Sequence, residues 1–346
     1  MAAYTTINKS GLYFNNKIYT GNGGTQAVTG VGFQPDFTWI KNRGATEGHV
    51  LFDAVRGVQK SINSNTTSTQ ATSSNYLTVF GTDGFTVGAS GLVNDNSNTY
   101  ASWNWKAGGA GSANTDGSIN TTATSVNTTA GFSISTYEGT GSAATVGHGL
   151  GVTPAVVLVK NIDASQNWLM YHQGIGATKY ARLNLSNGQG TSSGPWNNTA
   201  PTSSVFSIGA DGAVTGSGQT HVAYCFSEVR GYSRFGYYTG NNNADGPYVY
   251  TGFKPAFVLI KNVSDSADWT INDTAREPEN VSNLRLFPNT NGSENSGSDS
   301  MDMYSNGFKL RSTDSGNNGN GNVMIYMAFA ENPLVDSTGK TPATAR

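Results

Sequence analysis

Two pairs of opposite charge recur at one spacing in this chain, Asp53 with Arg56 and Asp273 with Arg276. A guanidinium can grip a carboxylate through two parallel N–H donors, so such a pair can recognise an anion or fasten a turn. Fastening is the expectation here, because the pair recurs inside a repeated pattern. Catalysis would need a nucleophile with a base, or two carboxylates sharing a cleft. The histidines His49, His148, His172 and His221 fall in no catalytic motif and show no H-x-x-x-H spacing. The expectation is therefore a protein that is not an enzyme, with no catalytic residue, no metal and no cofactor. Asn243-Ala-Asp245 and Ser296-Gly-Ser-Asp299 lack the regular alternation of a calcium loop and read as solvated loops.

Binding chemistry is better represented. Trp196, within Ser193-Gly-Pro-Trp-Asn-Asn198, could stack on a sugar ring while Asn197 and Asn198 bond its hydroxyls. Tyr248 is a weaker candidate for the same contact. The competing reading folds Trp196 back onto its own domain and lets Tyr248 begin a strand. Trp168 and Trp269 occupy matched positions and read as core, and His49 occupies the same position in the first third of the chain.

The elements that must position these residues come as three diverged copies. Tyr19-Thr-Gly-Asn-Gly precedes Gly32-Phe-Gln-Pro-Asp-Phe-Thr-Trp-Ile-Lys-Asn42, and Tyr238-Thr-Gly-Asn-Asn precedes Gly252-Phe-Lys-Pro-Ala-Phe-Val-Leu-Ile-Lys-Asn262. Between them stand Tyr137-Glu-Gly-Thr-Gly and Gly151-Val-Thr-Pro-Ala-Val-Val-Leu-Val-Lys-Asn161. The markers Pro35, Pro154 and Pro255 lie 119 and 101 residues apart. Thr82-Asp-Gly-Phe85, Ala210-Asp-Gly-Ala213 and Ser305-Asn-Gly-Phe308 read as turns, and each copy closes on an alternating apolar strand. β-Branched and aromatic runs after a proline predict strands, and no sustained helical stripe appears. Helices should be short, with one expected near Phe52 to Gly57.

This pattern predicts an all-β protein of three tandem antiparallel, jelly-roll-like sandwiches, each of roughly seven to nine strands. Inward aromatics would form each core, and outward Asn, Ser and Thr would face water. Copy one spans 1–107 with an amino-terminal arm, 108–129 is a Gly/Ser/Thr/Asn-rich linker, copy two spans 130–229, copy three 230–332, and 333–346 is a carboxyl-terminal arm. The short junction at Glu228 to Gly231 predicts copies two and three as a rigid pair, with copy one set at its own angle.

Composition narrows the function classes. The chain has 346 residues, 12% of them charged, with a net charge of -2 and pI near 6.1. No basic field supports nucleic-acid binding, and no apolar run approaches the roughly eighteen residues of a membrane span. The amino terminus shows no apolar signal region, so synthesis in the cytoplasm is expected. The lone Cys225 lies on an apolar strand face, so no intrachain disulfide contributes.

The Tyr-Thr-Gly-Asn-Gly, Gly-Phe-Gln-Pro-Asp-Phe-Thr-Trp-Ile-Lys-Asn-Arg and Leu-Phe-Asp-Ala-Val-Arg-Gly segments resemble an uncharacterised repeat domain of marine bacteriophage structural proteins. The likeness extends to Met-Ala-Ala-Tyr-Thr-Thr-Ile-Asn-Lys at the start and Gly339-Lys-Thr-Pro-Ala-Thr-Ala-Arg346 at the end. Copy two departs most, carrying His172-Gln-Gly where the others carry Asp-x-x-Arg. The resemblance implies a component of the virion outer surface, a tail fibre or surface appendage made in the host cytoplasm, with other virion proteins and a host surface glycan as partners. It also implies a closed homo-oligomer, with a trimer favoured. Capsid decoration or a head fibre is the alternative within the virion, and a polysaccharide depolymerase is the alternative from another class.

Overall fold

Each copy opens with a strand carrying the Tyr-x-Gly signature: Phe14–Thr20, Phe132–Glu138 and Ser233–Thr239. It pairs with the closing strand, Thr99–Trp105, Thr220–Phe226 or Val323–Pro333. The closing strand pairs in turn with a central strand at the marker proline, Phe37–Asn42 and Val156–Asn161 following it and Phe253–Asn262 running through Pro255 with a break in register. A fourth strand follows, Val50–Asp53, Leu169–His172 or Thr270–Asp273. All these pairings are antiparallel. A smaller sheet packs on one face of each large one: Gln26–Thr29 with Gly84–Val87 and Leu77–Gly81, Ala144–Gly147 with Val205–Ile208, and Tyr248–Tyr250 with Gly307–Leu310 and Met301–Tyr304. The all-β sandwich class is as the sequence predicts. This computed structural model describes residues 5–296, 300–333 and 335; no helix among them is long and apolar enough to cross a membrane.

The Tyr-x-Gly signature has a local cause. Tyr19, Tyr137 and Tyr238 donate their hydroxyls to the carbonyls of Val93, Val214 and Asn317, in the short helical turn before each closing strand. A Cβ on Gly21, Gly139 or Gly240 would then run into backbone carbonyl groups of that same region. Gly139→Ala is expected to destabilise the protein by about 1–3 kcal/mol, read as a lower midpoint in urea at an unchanged slope.

The two faces of the large sheets have different neighbours. One face and the small sheet enclose an outer core within each copy, such as Tyr19, Val28, Ile40, Phe52, Phe85 and Tyr100 in copy one. The other face does not meet water. Phe37, Trp39, Trp103 and Trp105 of copy one join Val156, Leu158, Tyr224 and Phe226 of copy two and Phe257, Leu259, Met327 and Phe329 of copy three in one continuous apolar cluster. A cavity of about 20 Å³ lies within it, lined by residues of all three copies. The central strands are accordingly buried along nearly their whole length.

Polar contacts around this shared core link the copies in one cyclic order, the position of Asp53, His172 or Asp273 in each copy meeting the closing strand of the next. The Tyr224 hydroxyl of copy two donates to Asp53 of copy one at 2.7 Å, the Trp103 indole of copy one donates to Asp273 of copy three at 3.0 Å, and His172 of copy two reaches the Tyr326 carbonyl of copy three at 3.1 Å. The lysines of the repeated Lys-Asn dipeptide follow the same order, each reaching the preceding copy. Lys160 donates to the Thr67 carbonyl of copy one, Lys261 to Ser186 of copy two, and Lys41 to Asn291 of copy three. Trp168 and Trp269 likewise donate to Asn63 and Arg182 of the preceding copy. Equivalent positions therefore make equivalent contacts in cyclic order, which gives the single chain an approximate threefold axis.

Several expectations are corrected by this arrangement. Copies two and three are not a separate rigid pair, since every copy contacts both others. The 108–129 segment is not a free tether: the Gly108 amide is bonded to Ser125, Ser112 bridges Thr124, Ile119 bridges Val146, and Ala123–Asn127 adds a strand beside the opening strand of copy two. Copy two thus begins before residue 130. Within the amino-terminal arm, Ile7 is buried in the shared core, and Thr5 and Ser10 are buried as well. Most of the carboxyl-terminal arm lies outside the described residues, as do 1–4.

The expected helix near Phe52 is the end of a strand and a tight turn from Asp53 to Arg56, closed by the Gly57 amide on the Asp53 carbonyl. Four-residue helices occur instead at Gly91–Asn94, Ser193–Trp196, Gly212–Thr215 and Ser315–Asn318. The copy-two Asp-Gly serves one of them, with Asp211 accepting the Ala213 amide as an N-cap, so it is not the hairpin turn of the other copies. Outward Asn residues are also partly misassigned. Asn42, Asn161 and Asn262 are buried, each accepting two amides of the following loop and donating to a carbonyl of the short helix.

Candidate functional site: a tyrosine-lined cleft in copy three

The recurring acid–base pairs fasten the turn and also join copies. Arg56 donates Nε to Asp53 Oδ2 at 2.5 Å and its backbone amide to Oδ1 at 2.8 Å, while its remaining nitrogens reach the carbonyls of Leu51 and Lys60 and the Gln70 side chain. Arg276 repeats this on Asp273 at 2.5 and 3.0 Å, and adds Glu294 at 2.9 Å. Glu294 is also held bidentately by Arg43 of copy one. Both pairs are buried, so they offer no anion site to solvent.

His172 stands where these acids stand. Its Nδ1 accepts the Gly174 amide at 3.0 Å, so its Nε2 carries the proton donated to Tyr326. Complete burial holds its pKa down to about 4, against an ordinary 6.5. A histidine kept neutral in the fold but free to charge when unfolded stabilises fully above about pH 6.5, and that contribution is lost as pH falls toward 4. The shift corresponds to about 3 kcal/mol. Urea titrations from pH 7 to 4.5 are expected to show a shallower decline in His172→Asn than in the parent; equal declines would contradict this role.

Trp196 does not form a ligand surface. It is 1% exposed, packed edge-on to Tyr171 in the outer core of copy two, with the bulk of the ring in a space that the short helix Ser193–Trp196 closes. Asn197 and Asn198 are exposed but adopt left-handed backbone, and Asn197 ends the helix by returning its amide to Ser193. These residues lie in copy two and Tyr248 in copy three, on different small-sheet regions. The calcium alternative has no better footing: Asp245 is paired with Lys309, and the second loop falls partly outside the described residues. Among the described residues, no three His, Cys, Asp or Glu side chains converge on one point.

Tyr248 belongs to a larger feature. In Tyr248–Tyr250 the pleat turns Val249 into the outer core and leaves Tyr248 and Tyr250 on the opposite face, 45% and 60% exposed. Tyr248 lies over Gly307, donates to Asn306 and meets Tyr304 edge-on at 6.0 Å. Across a cleft of about 490 Å³ stands Tyr237, 62% exposed, on the opening strand of copy three. Tyr326, whose ring lies across the Gly236 backbone, contributes to the floor. A second hollow of about 410 Å³ adjoins the first, and the two share Arg234 and Tyr250.

Copies one and two differ at the equivalent edges. Strand register places Ile18 and Thr136 where copy three has Tyr237. In copy one Asn15 bonds the Val31 carbonyl at 3.0 Å and ties the two sheet edges together. In copy two the added strand Ala123–Asn127 covers the edge. The signal in the sequence was the Tyr-Val-Tyr alternation, which sets two aromatic rings on one side of a strand; that Tyr237 faces them depends on folding.

No curated protein and no solved structure matches the chain. The family model described as Domain of unknown function (DUF7483) matches residues 9–333, almost the whole of the three-copy fold. The chain therefore belongs to the DUF7483 family.

Proposed function

We propose that this protein is a non-enzymatic structural component of a bacteriophage virion, built into a tail fibre or another surface appendage, where it presents an exposed face toward the host cell. The observation that carries this reading is the closure of three sandwiches around one shared core by contacts repeated in cyclic order. Such closure makes a rigid block with an internal threefold, suited to bearing load and to meeting a threefold fibre axis. The sequence resemblance to phage structural repeats points the same way. A homotrimer would then assemble through block ends or outer faces, because the axis-facing surfaces are already consumed within the chain.

Antibody labelling of purified particles tests the proposal. Labels on tail fibres or appendage tips are the expected result. Labels spread evenly over the head would replace it with capsid decoration, and particles without label would remove the virion reading altogether.

A further inference from the structure

We infer that the tyrosine-lined cleft of copy three binds a neutral saccharide chain. Tyr237, on the opening strand, and Tyr250, on the small sheet, both line the cleft with largely exposed rings, and the C–H faces of a sugar can pack on aromatic rings while its hydroxyls find polar partners at the rim. Those partners include the side-chain carbonyl of Gln173 and the Arg234 guanidinium. Arg234 is paired with Glu228 at 3.1 Å, so this pair brings the rim no net charge, and Arg230 is the other charged side chain that lines the two hollows. Two adjoining hollows of about 490 and 410 Å³ form an elongated trough that suits several linked sugar units better than one.

An extended peptide is the competing occupant, because Ser233–Thr239 is an edge strand. That edge is already blocked at its middle. The Phe235 amide donates to Glu228 at 2.8 Å, and the Phe235 carbonyl accepts from Gln173 at 2.5 Å, so both groups an added strand would use are taken. The saccharide reading rests on the surface-appendage proposal for its access to host glycans, but its geometry is that of the isolated chain.

The test is an array of neutral hexose and N-acetylhexosamine oligomers of roughly three to six units, with acidic oligosaccharides and extended peptides alongside, probed with the purified full chain. Retention of neutral oligomers is expected, weakened at least about tenfold by Tyr237→Ala and by Tyr250→Ala. Tyr250→Phe should stay within about threefold of the parent, since it keeps the ring face. Unfolding midpoints of all three variants confirm that the fold persists. Absence of neutral binding by the parent, binding unaffected by both alanine variants, or retention of peptides alone would each overturn the inference. Array binding by a chain that antibodies do not find on particles would sink the virion proposal and leave this one standing; labelled appendages with no array binding would do the reverse.

Discussion

Asp53→Ala is expected to remove about 3–5 kcal/mol of stability, a large share of what a whole domain possesses. The carboxylate accepts from the Arg56 backbone and side chain and from the Tyr224 hydroxyl of the neighbouring copy, all inside the protein. Truncation leaves the guanidinium buried with carbonyl and amide partners but without its counter-charge, and leaves a buried hydroxyl without its acceptor. Asp273→Ala should cost a similar amount, because Arg276 and the Trp103 indole depend on Asp273 in the same way. Equilibrium urea unfolding measures both. Losses below about 1 kcal/mol would show that these pairs behave as surface ion pairs do.

Copy two expressed alone, as residues 123–229, is expected to fail to form a cooperative native state. In the intact chain Val156, Leu158, Met170, Tyr224 and Phe226 are buried against the other two copies as well as against each other. At about 1.5–3 kcal/mol for each large apolar side chain returned to water, five amount to about 8–15 kcal/mol, as much as a typical domain's entire stability. The excised copy should bind a hydrophobic dye and melt without a sharp transition, whereas the full chain should unfold in one calorimetric peak. Three resolved peaks, or a sharp transition in the fragment, would mean that the shared core contributes far less than its area implies.

The Asp53–Arg56 and Asp273–Arg276 pairs illustrate how far the sequence could be read. Their spacing of three residues makes a turn-closing pair, and the turn is there. That the same carboxylates accept from Tyr224 and Trp103 involves residues about 170 positions away, which no local spacing encodes. Trp196 shows the converse. Its neighbours Gly, Pro and two Asn look like an exposed loop, yet a four-residue helix turns its ring inward, because an outer core between two sheets needs large side chains wherever strands leave space. The 108–129 segment misled for a similar reason: small polar residues suit a linker, and they equally suit close backbone approach beside a sheet edge, as Gly111 against Thr124 and Gly117 against Thr145 show.

By itself the sequence determined the strand class, the three copies, their order and many of the places where the chain must turn. These follow from interactions spanning a few residues: alternation of side chains along a strand, fixed φ at proline, and glycine where a second backbone passes. The tertiary structure decided what each strand face meets. Phe-Thr-Trp-Ile and Val-Val-Leu-Val are apolar or compact on both faces, and such a pattern is equally compatible with a lone sandwich or with one that shares its outer face. Closure of the three copies chose the second, since only contact with both neighbours removes those faces from water. Within copy three, the packing of the small sheet against the opening strand brought Tyr237 to the same cleft as Tyr248 and Tyr250, residues that no local spacing relates.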